Sequence, residues 1–346
     1  MKNITIENNN HLPWLSILRG WAVLLVVIFH APLNDQPGFI GIFFDGFNTL
    51  MHFRMPLFFF ISGFLLYHTK LKYNSPYSNI WKKRITRVAY PYIFLCTVIY
   101  LLKLIFASYV KRPVDLSLFS YFEMFLYPRH NLPWGPFWFL NTILIFFILY
   151  PLIKVSLKKW YGIVMAVIIS LTLRFFVPDV DMLFDFWTVA YYFIFFYCGI
   201  LFSKFNVIEY FRKNKVWVFI LSLVVFLAAN VFIEYFKNLG YGYDMLNPFK
   251  LIHSLSGISL SVYLSLFCAK FLPNIFSSFR KYYYQVYLFG TLCQLVVLEI
   301  YSRTSSPVLM LLLSILSVFV GIYVPVLISK IIRKINWKPL LKATGF

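Results

Sequence analysis

The chain has 346 residues, 61% of them hydrophobic and 13% charged, with a formal net charge of +20. A soluble protein of this length carries about twice that charged fraction, so a soluble fold is excluded and an all-α polytopic membrane protein, a bundle of about ten transmembrane helices, is expected. Nucleic acid is excluded as the reason for the charge, because the basic residues gather in alternate loops, a pattern of membrane topology and of attraction to anionic membrane lipids.

The polar start, Met1 to His11, lacks a basic region followed by a small-residue cleavage site. The first span is therefore expected to act as an uncleaved anchor. Apolar stretches of spanning length follow at roughly 13–33, 50–68, 90–107, 136–153, 160–177, 183–203, 216–236, 249–272, 283–302 and 307–332. No internal repeat divides them, and residues 1–346 read as a single integral-membrane domain. Lys70, Lys72, Lys82, Lys83, Arg84 and Arg87 follow the second span, whereas the intervening loops hold few cations, among them Lys111, Arg112 and Arg129. That asymmetry predicts both termini in the cytoplasm. Cys96, Cys198, Cys268 and Cys293 fall inside apolar stretches with neither metal-ligand spacing nor a disulfide framework, so no metal is expected.

The first span carries Arg19 and His30, eleven positions apart. Eleven residues make almost three turns, which predicts both side chains on one face, about 16 Å apart along the axis. Ionisable groups in a bilayer usually face a protein interior or a wet cavity. His30 can act as a base toward a hydroxyl group, or can rest at the membrane interface bonded to a backbone carbonyl. Arg19 can pair with a carboxylate, hold a phosphate or snorkel to the interface. The second span opens with His52 and Arg54 ahead of Pro56, which is expected to kink the helix or begin its regular part. Its Ser62 and Gly63 permit close helix packing. Before the third span, Arg84 and Arg87 are spaced as helical neighbours, either a phosphate clamp or an ordinary positive flank. The outer loop 108–135 contains Leu118 to Tyr127, expected as a short helix at the membrane surface. Glu123, Asn141, Arg174 and His253 are further polar candidates, and Asp179, Asp181 and Asp185 make an acidic cluster without a complete cation ligand set.

In order and spacing, several of these segments resemble the acyltransferase family 3 of membrane proteins. They are Leu18-Arg19-Gly20 with Phe29-His30, Met55 through Phe64, Arg84-Ile85-Thr86-Arg87 with Pro91, and Trp138-Phe139-Leu140. The likeness covers the first 155 residues and continues as a hydropathy profile. One departure is Tyr287-Leu288-Phe289-Gly290, where the family often has a histidine at the fourth place.

The resemblance implies a stand-alone acyltransferase of the bacterial inner (plasma) membrane. It implies acyl-coenzyme A as co-substrate, most often acetyl-CoA, and a hydroxyl of a cell-surface or exported glycan, or of a lipid-linked saccharide, as acceptor. It further implies His30 and Arg19 in the catalytic site and Arg84 and Arg87 on the donor's phosphates. A transporter or flippase of a lipid-linked saccharide or organic anion is the competing expectation, since spans with buried charges suit a carrier too. Oligomeric state, including a homo-oligomer, stays open.

Overall fold

The computed structural model describes residues 12–33, 38–106 and 117–346. Met1 to His11, Lys111 and Arg112 lie outside the described residues. Among the described residues every regular element is helical. This is what a bilayer demands of a chain that cannot close a barrel, since helices satisfy their own backbone hydrogen bonds.

In chain order the helices are α1 (Pro13–Phe29), α2 (Phe39–Leu50), α3 (Arg54–Leu66), α4 (Tyr77–Arg84), α5 (Tyr90–Ile105), α6 (Leu118–Leu126), α7 (Pro128–Asn131), α8 (Trp138–Ile148) and α9 (Tyr150–Ser156). Then come α10 (Trp160–Phe176), α11 (Phe186–Lys204), α12 (Val207–Lys213), α13 (Lys215–Asn238), α14 (Tyr243–Phe271), α15 (Tyr283–Tyr301), α16 (Pro307–Ile335) and α17 (Lys338–Ala343). Among the described residues, seven helical runs are long and apolar enough to cross a membrane, or eight if α8 and α9 are counted as one bent span. Two shorter apolar helices, α1 and α10, coincide with the other expected spans. The protein is thus a multi-pass membrane protein.

The structure departs from the expected spans in places that have local causes. The second span begins earlier, because α2, a single 3-10 turn (Met51–Phe53) and α3 run on as one helical stretch. Gly38, at φ +68°, supplies the left-handed turn that starts α2. Pro56 sits in the first turn of α3, just after the 3-10 turn, and marks where the regular α-helix begins. The fourth span bends by 54° between α8 and α9. Pro151, within the first turn of α9, removes the N–H that would continue the helix. Two rare π-helical turns, Tyr67–Leu71 and Ile85–Ala89, follow α3 and α4.

The chain forms two compact units. One takes the chain up to Phe58, then Ile208–Tyr241 and Pro248–Val324. The other takes Phe59–Val207, Gly242–Asn247 and Pro325–Phe346. Two of the crossings fall at the in-helix prolines Pro248 and Pro325.

In the first unit, α1, α15 and α16 close on one another at glycines. A Cβ at Gly290 would lie 2.7 Å from the Gly321 carbonyl oxygen, and one at Gly321 would lie 2.8 Å from Val27. Phe53, Phe226 and His253 pack together, with the Phe226 and His253 rings stacked 4.3 Å apart, Phe53 edge to face with both, and Gly257 against Phe53 and Phe226.

The second unit is built on aromatic packing. Phe59, Phe146 and Phe196 are fully buried. The Phe59 ring lies 4.8 Å from those of Phe139 and Tyr192, and Phe146 lies 4.8 Å from Phe196. Ring pairs of this kind are worth about 0.5–1.5 kcal/mol each beyond the area they bury. Beside them α3 and α11 cross backbone to backbone: a Cβ at Gly63 would land on the Phe196 carbonyl, and one at Gly199 on the Phe60 carbonyl.

Candidate functional site

His30 closes α1, which ends at Phe29. The last carbonyls of a helix have no helical donor of their own, and here three of them, Val26, Val27 and Ile28, find partners. Val26 accepts from the His30 N–H (3.2 Å) and Ile28 from the Ala31 N–H (3.1 Å). Val27 accepts from Nε2 of buried Gln294 on α15 (3.0 Å), and the Pro32 carbonyl from the Ser314 hydroxyl on α16 (3.0 Å). The imidazole is therefore carried on a backbone pinned from two neighbouring helices. Gln294→Leu leaves the Val27 carbonyl buried without its donor. It is expected to destabilise the protein by about 1–3 kcal/mol, read as a lowered unfolding midpoint in detergent. An unchanged midpoint would show that the carbonyl finds another donor.

The half-buried His30 ring packs edge to face with Phe29, with centroids 5.2 Å apart. The other face of this small cluster is Arg54. Its guanidinium carbon stands 3.3 Å from the Phe29 ring centroid, and its Nη1 donates to the Met51 carbonyl (3.2 Å). Arg54 is buried. A base and a cation thus share one end of α1. Arg19 has different surroundings. It is exposed, and its guanidinium lies over the Tyr283 ring at 5.4 Å. Arg54 was legible only as a charge near the outer end of the expected second span, and nothing in the sequence paired it with the end of α1.

The basic residues after the second span make a second cluster, in the other unit. Arg84 ends α4 half-buried, its guanidinium carbon 3.9 Å from the Phe147 ring centroid, while Arg87 lies exposed in the π turn that follows. The wider π turn changes the angular step between them from that of an α-helix. Lys70 lies in the other π turn. Arg87 and Lys70 thus each sit in a π turn, a rare local geometry that is frequent at functional sites. The sequence marked Lys70 only as one of the cations after the second span and gave no sign of the π turns.

The remaining candidates are occupied locally. His52 Nδ1 lies 2.6 Å from the Thr49 carbonyl oxygen. Arg174 is buried over Tyr191 (3.7 Å) and donates to its carbonyl (2.7 Å). Asn141 donates to the Phe184 carbonyl (2.9 Å). In the acidic cluster, Asp179 pairs with Arg129 and Asp181 with His130 (3.5 Å), while Asp185 is buried at the start of α11. Partly exposed pairs of this kind are worth little individually. Leu118, Phe119 and Phe122 of α6 are exposed, an apolar face suited to a membrane surface. Among the described residues no group of three His, Cys, Asp or Glu is placed to hold a metal ion.

At Gly290 the departure noted in the sequence has a packing counterpart. Any side chain there meets the backbone of Gly321, so this position cannot carry a histidine without moving α16.

Residues 12–330 match the Acyl_transf_3 family model, described as an acyltransferase domain. The chain is also similar to glucans biosynthesis protein C of Escherichia coli O6:K15:H31 (strain 536 / UPEC), with 30% identity over 147 residues, 38% of this chain and 36% of that protein. The protein of the same name from Escherichia coli (strain K12 / DH10B) is 30% identical over 144 residues, with the same shares covered. The matched stretch thus spans about a third of the length of these relatives, 36%. No solved structure matches the chain significantly.

Proposed function

The chain belongs to the acyltransferase 3 family of membrane proteins, and from that premise we propose that it moves an acyl group, acetyl first among them, from cytoplasmic acyl-coenzyme A to a hydroxyl of a cell-surface or exported glycan. The observation that carries this reading is the base and cation at the end of α1, His30 and Arg54 both packed on the Phe29 ring. The glycan acceptor is supported by the name of the relatives. The proposed location is the bacterial inner membrane, with both termini in the cytoplasm, as the Lys/Arg asymmetry supports.

In this mechanism an imidazole nitrogen of His30 takes the proton of the acceptor hydroxyl as its oxygen attacks the thioester carbonyl. The carbonyl oxygen becomes an oxyanion, and Arg54 is assigned to stabilise it. The C–S bond then breaks, and the leaving coenzyme A sulfur takes the proton from His30. Arg19 is assigned to orient the donor's arm. Arg84 and Arg87 are assigned to the donor's phosphates, for which a crowd of like charges is suited.

The test is acyl transfer by the purified protein. Free thiol should appear from acetyl-CoA only when a glycan acceptor is supplied, and mass spectrometry should find the acyl group on that glycan. A protein that moves saccharide across a vesicle membrane without releasing thiol would be a carrier, and the proposal would fail. Arg84→Gln and Arg87→Gln should each raise the donor KM about tenfold with kcat little changed, as loss of a charge-assisted contact to a ground-state phosphate predicts. A donor KM equal to that of the unsubstituted protein would remove both residues from the donor site.

A further inference from the structure

A cavity of about 530 Å³ opens in the first unit where α1 begins, α13 begins and α14 ends. That these three helix ends meet agrees with the six spans from α1 through α11, which return the chain to the face where α1 begins, so all three sit at one membrane face. The wall of the cavity includes Trp14, Phe211 and Tyr263, and its cations are Arg212, Lys215 and Lys270. Arg212 is held by Glu209 at 2.7 Å. Among the described residues neither Lys215 nor Lys270 forms an ion pair. Lys215 is the first residue of α13 and Lys270 lies in the last turn of α14, so both stand where a span meets the headgroup layer. Away from the cations the surface stays apolar. Phe267 and Phe271 line the cavity with their rings 4.7 Å apart, and both are largely exposed along the outside of α14.

A ligand for this site must present an anion at the helix ends and hydrocarbon along the bundle. We propose that the cavity binds an anionic membrane phospholipid, its phosphate at Lys215 and Lys270 and its acyl chains on Phe267 and Phe271. Basic pockets between spans at the cytoplasmic face are suited to such headgroups, and the Lys/Arg asymmetry puts this end of the helices there. A nucleotide-bearing donor suits the wall less well, because the rings offer few hydrogen-bond partners for a base and ribose. This inference stands independently of the proposed acyl transfer.

The test uses the full-length protein purified in detergent, unfolded by heat in the presence of phosphatidylglycerol, of phosphatidylcholine with the same chains, of glycerol 3-phosphate, or of acetyl-CoA. Phosphatidylglycerol should raise the unfolding midpoint by about 3 °C or more. Phosphatidylcholine and glycerol 3-phosphate should leave it unchanged. The K215E/K270E double variant should unfold at the midpoint of the unsubstituted protein without lipid and lose the response to phosphatidylglycerol. If that variant fails to fold, K215Q/K270Q replaces it with the same expectation. A response that survives loss of both lysines, or that phosphatidylcholine equals, overturns the proposal. So does an acetyl-CoA response that disappears in the double variant, which would make the cavity the donor's.

Discussion

His30→Gln lowers acyl transfer by about 10²- to 10⁴-fold, the usual worth of a positioned general base, and leaves the protein folded. Glutamine retains the capacity to hydrogen-bond but cannot take a proton near neutral pH. The structural effect should be small, because the imidazole is half-buried and its ring contact is a single edge-to-face pair with Phe29. One such contact is worth about 0.5–1.5 kcal/mol. The helix end beneath it is held by backbone, Gln294 and Ser314 bonds that the substitution does not touch. The measurement is thiol release at saturating donor alongside the unfolding midpoint. Arg54→Met serves as the companion, with an expected loss of about 10²- to 10³-fold for a lost oxyanion donor. Turnover by His30→Gln equal to that of the unsubstituted protein would remove the base from the mechanism, whatever Arg54→Met did.

Gly199→Val should be the most damaging single change away from any proposed chemistry. At Gly199 a Cβ meets the carbonyl carbon of Phe60 at 2.8 Å and the amide nitrogen of Phe64 at 2.9 Å. At Gly63, its counterpart on α3, a Cβ meets the carbonyl carbon of Phe196 at 2.9 Å. Both obstacles are backbone, so no rotamer change relieves them. The helices must separate, and the rings of Phe59, Phe146 and Phe196 around the crossing lose contact with them. Overpacking a core usually costs about 1–3 kcal/mol. Here alanine should reach about 3 kcal/mol and valine should exceed it, read as a large fall in unfolding midpoint and in yield of monodisperse protein. Asp179→Asn, which breaks a partly exposed ion pair with Arg129, should change stability by about 1 kcal/mol or less. Equal midpoints for Gly199→Val and Asp179→Asn would mean that α3 and α11 do not cross as described.

Sequence blocks of the same apparent standing turn out to have different kinds of work. Phe29-His30 closes the helix end at the candidate site. Phe59, from the Met55 to Phe64 block, instead packs its ring on Trp138 and Phe139 of another block, so these two blocks serve as halves of one aromatic core. Gly63 is a contact surface, as its small size suggested, but its partner Gly199 lies far along the chain in a stretch with no marked pattern. Arg54 gained its place at the end of α1 through its packing on the Phe29 ring, and Gln294 through a bond to a carbonyl more than two hundred residues earlier.

The amino-acid order alone determined that this chain lies in a membrane, roughly where its apolar helices run, and which family it resembles. Those properties are local sums: about 1.5 Å of rise per residue against a fixed hydrocarbon thickness, with every backbone group needing an internal partner. Only the tertiary structure decided which glycines touch, where Pro151 bends a span, and which cation shares the end of α1 with the imidazole. Between helices in a membrane there is no hydropathy difference to read, because lipid tails are as apolar as leucine. The choice of neighbour falls to shape and to a few polar bonds, and neither is written in any one segment.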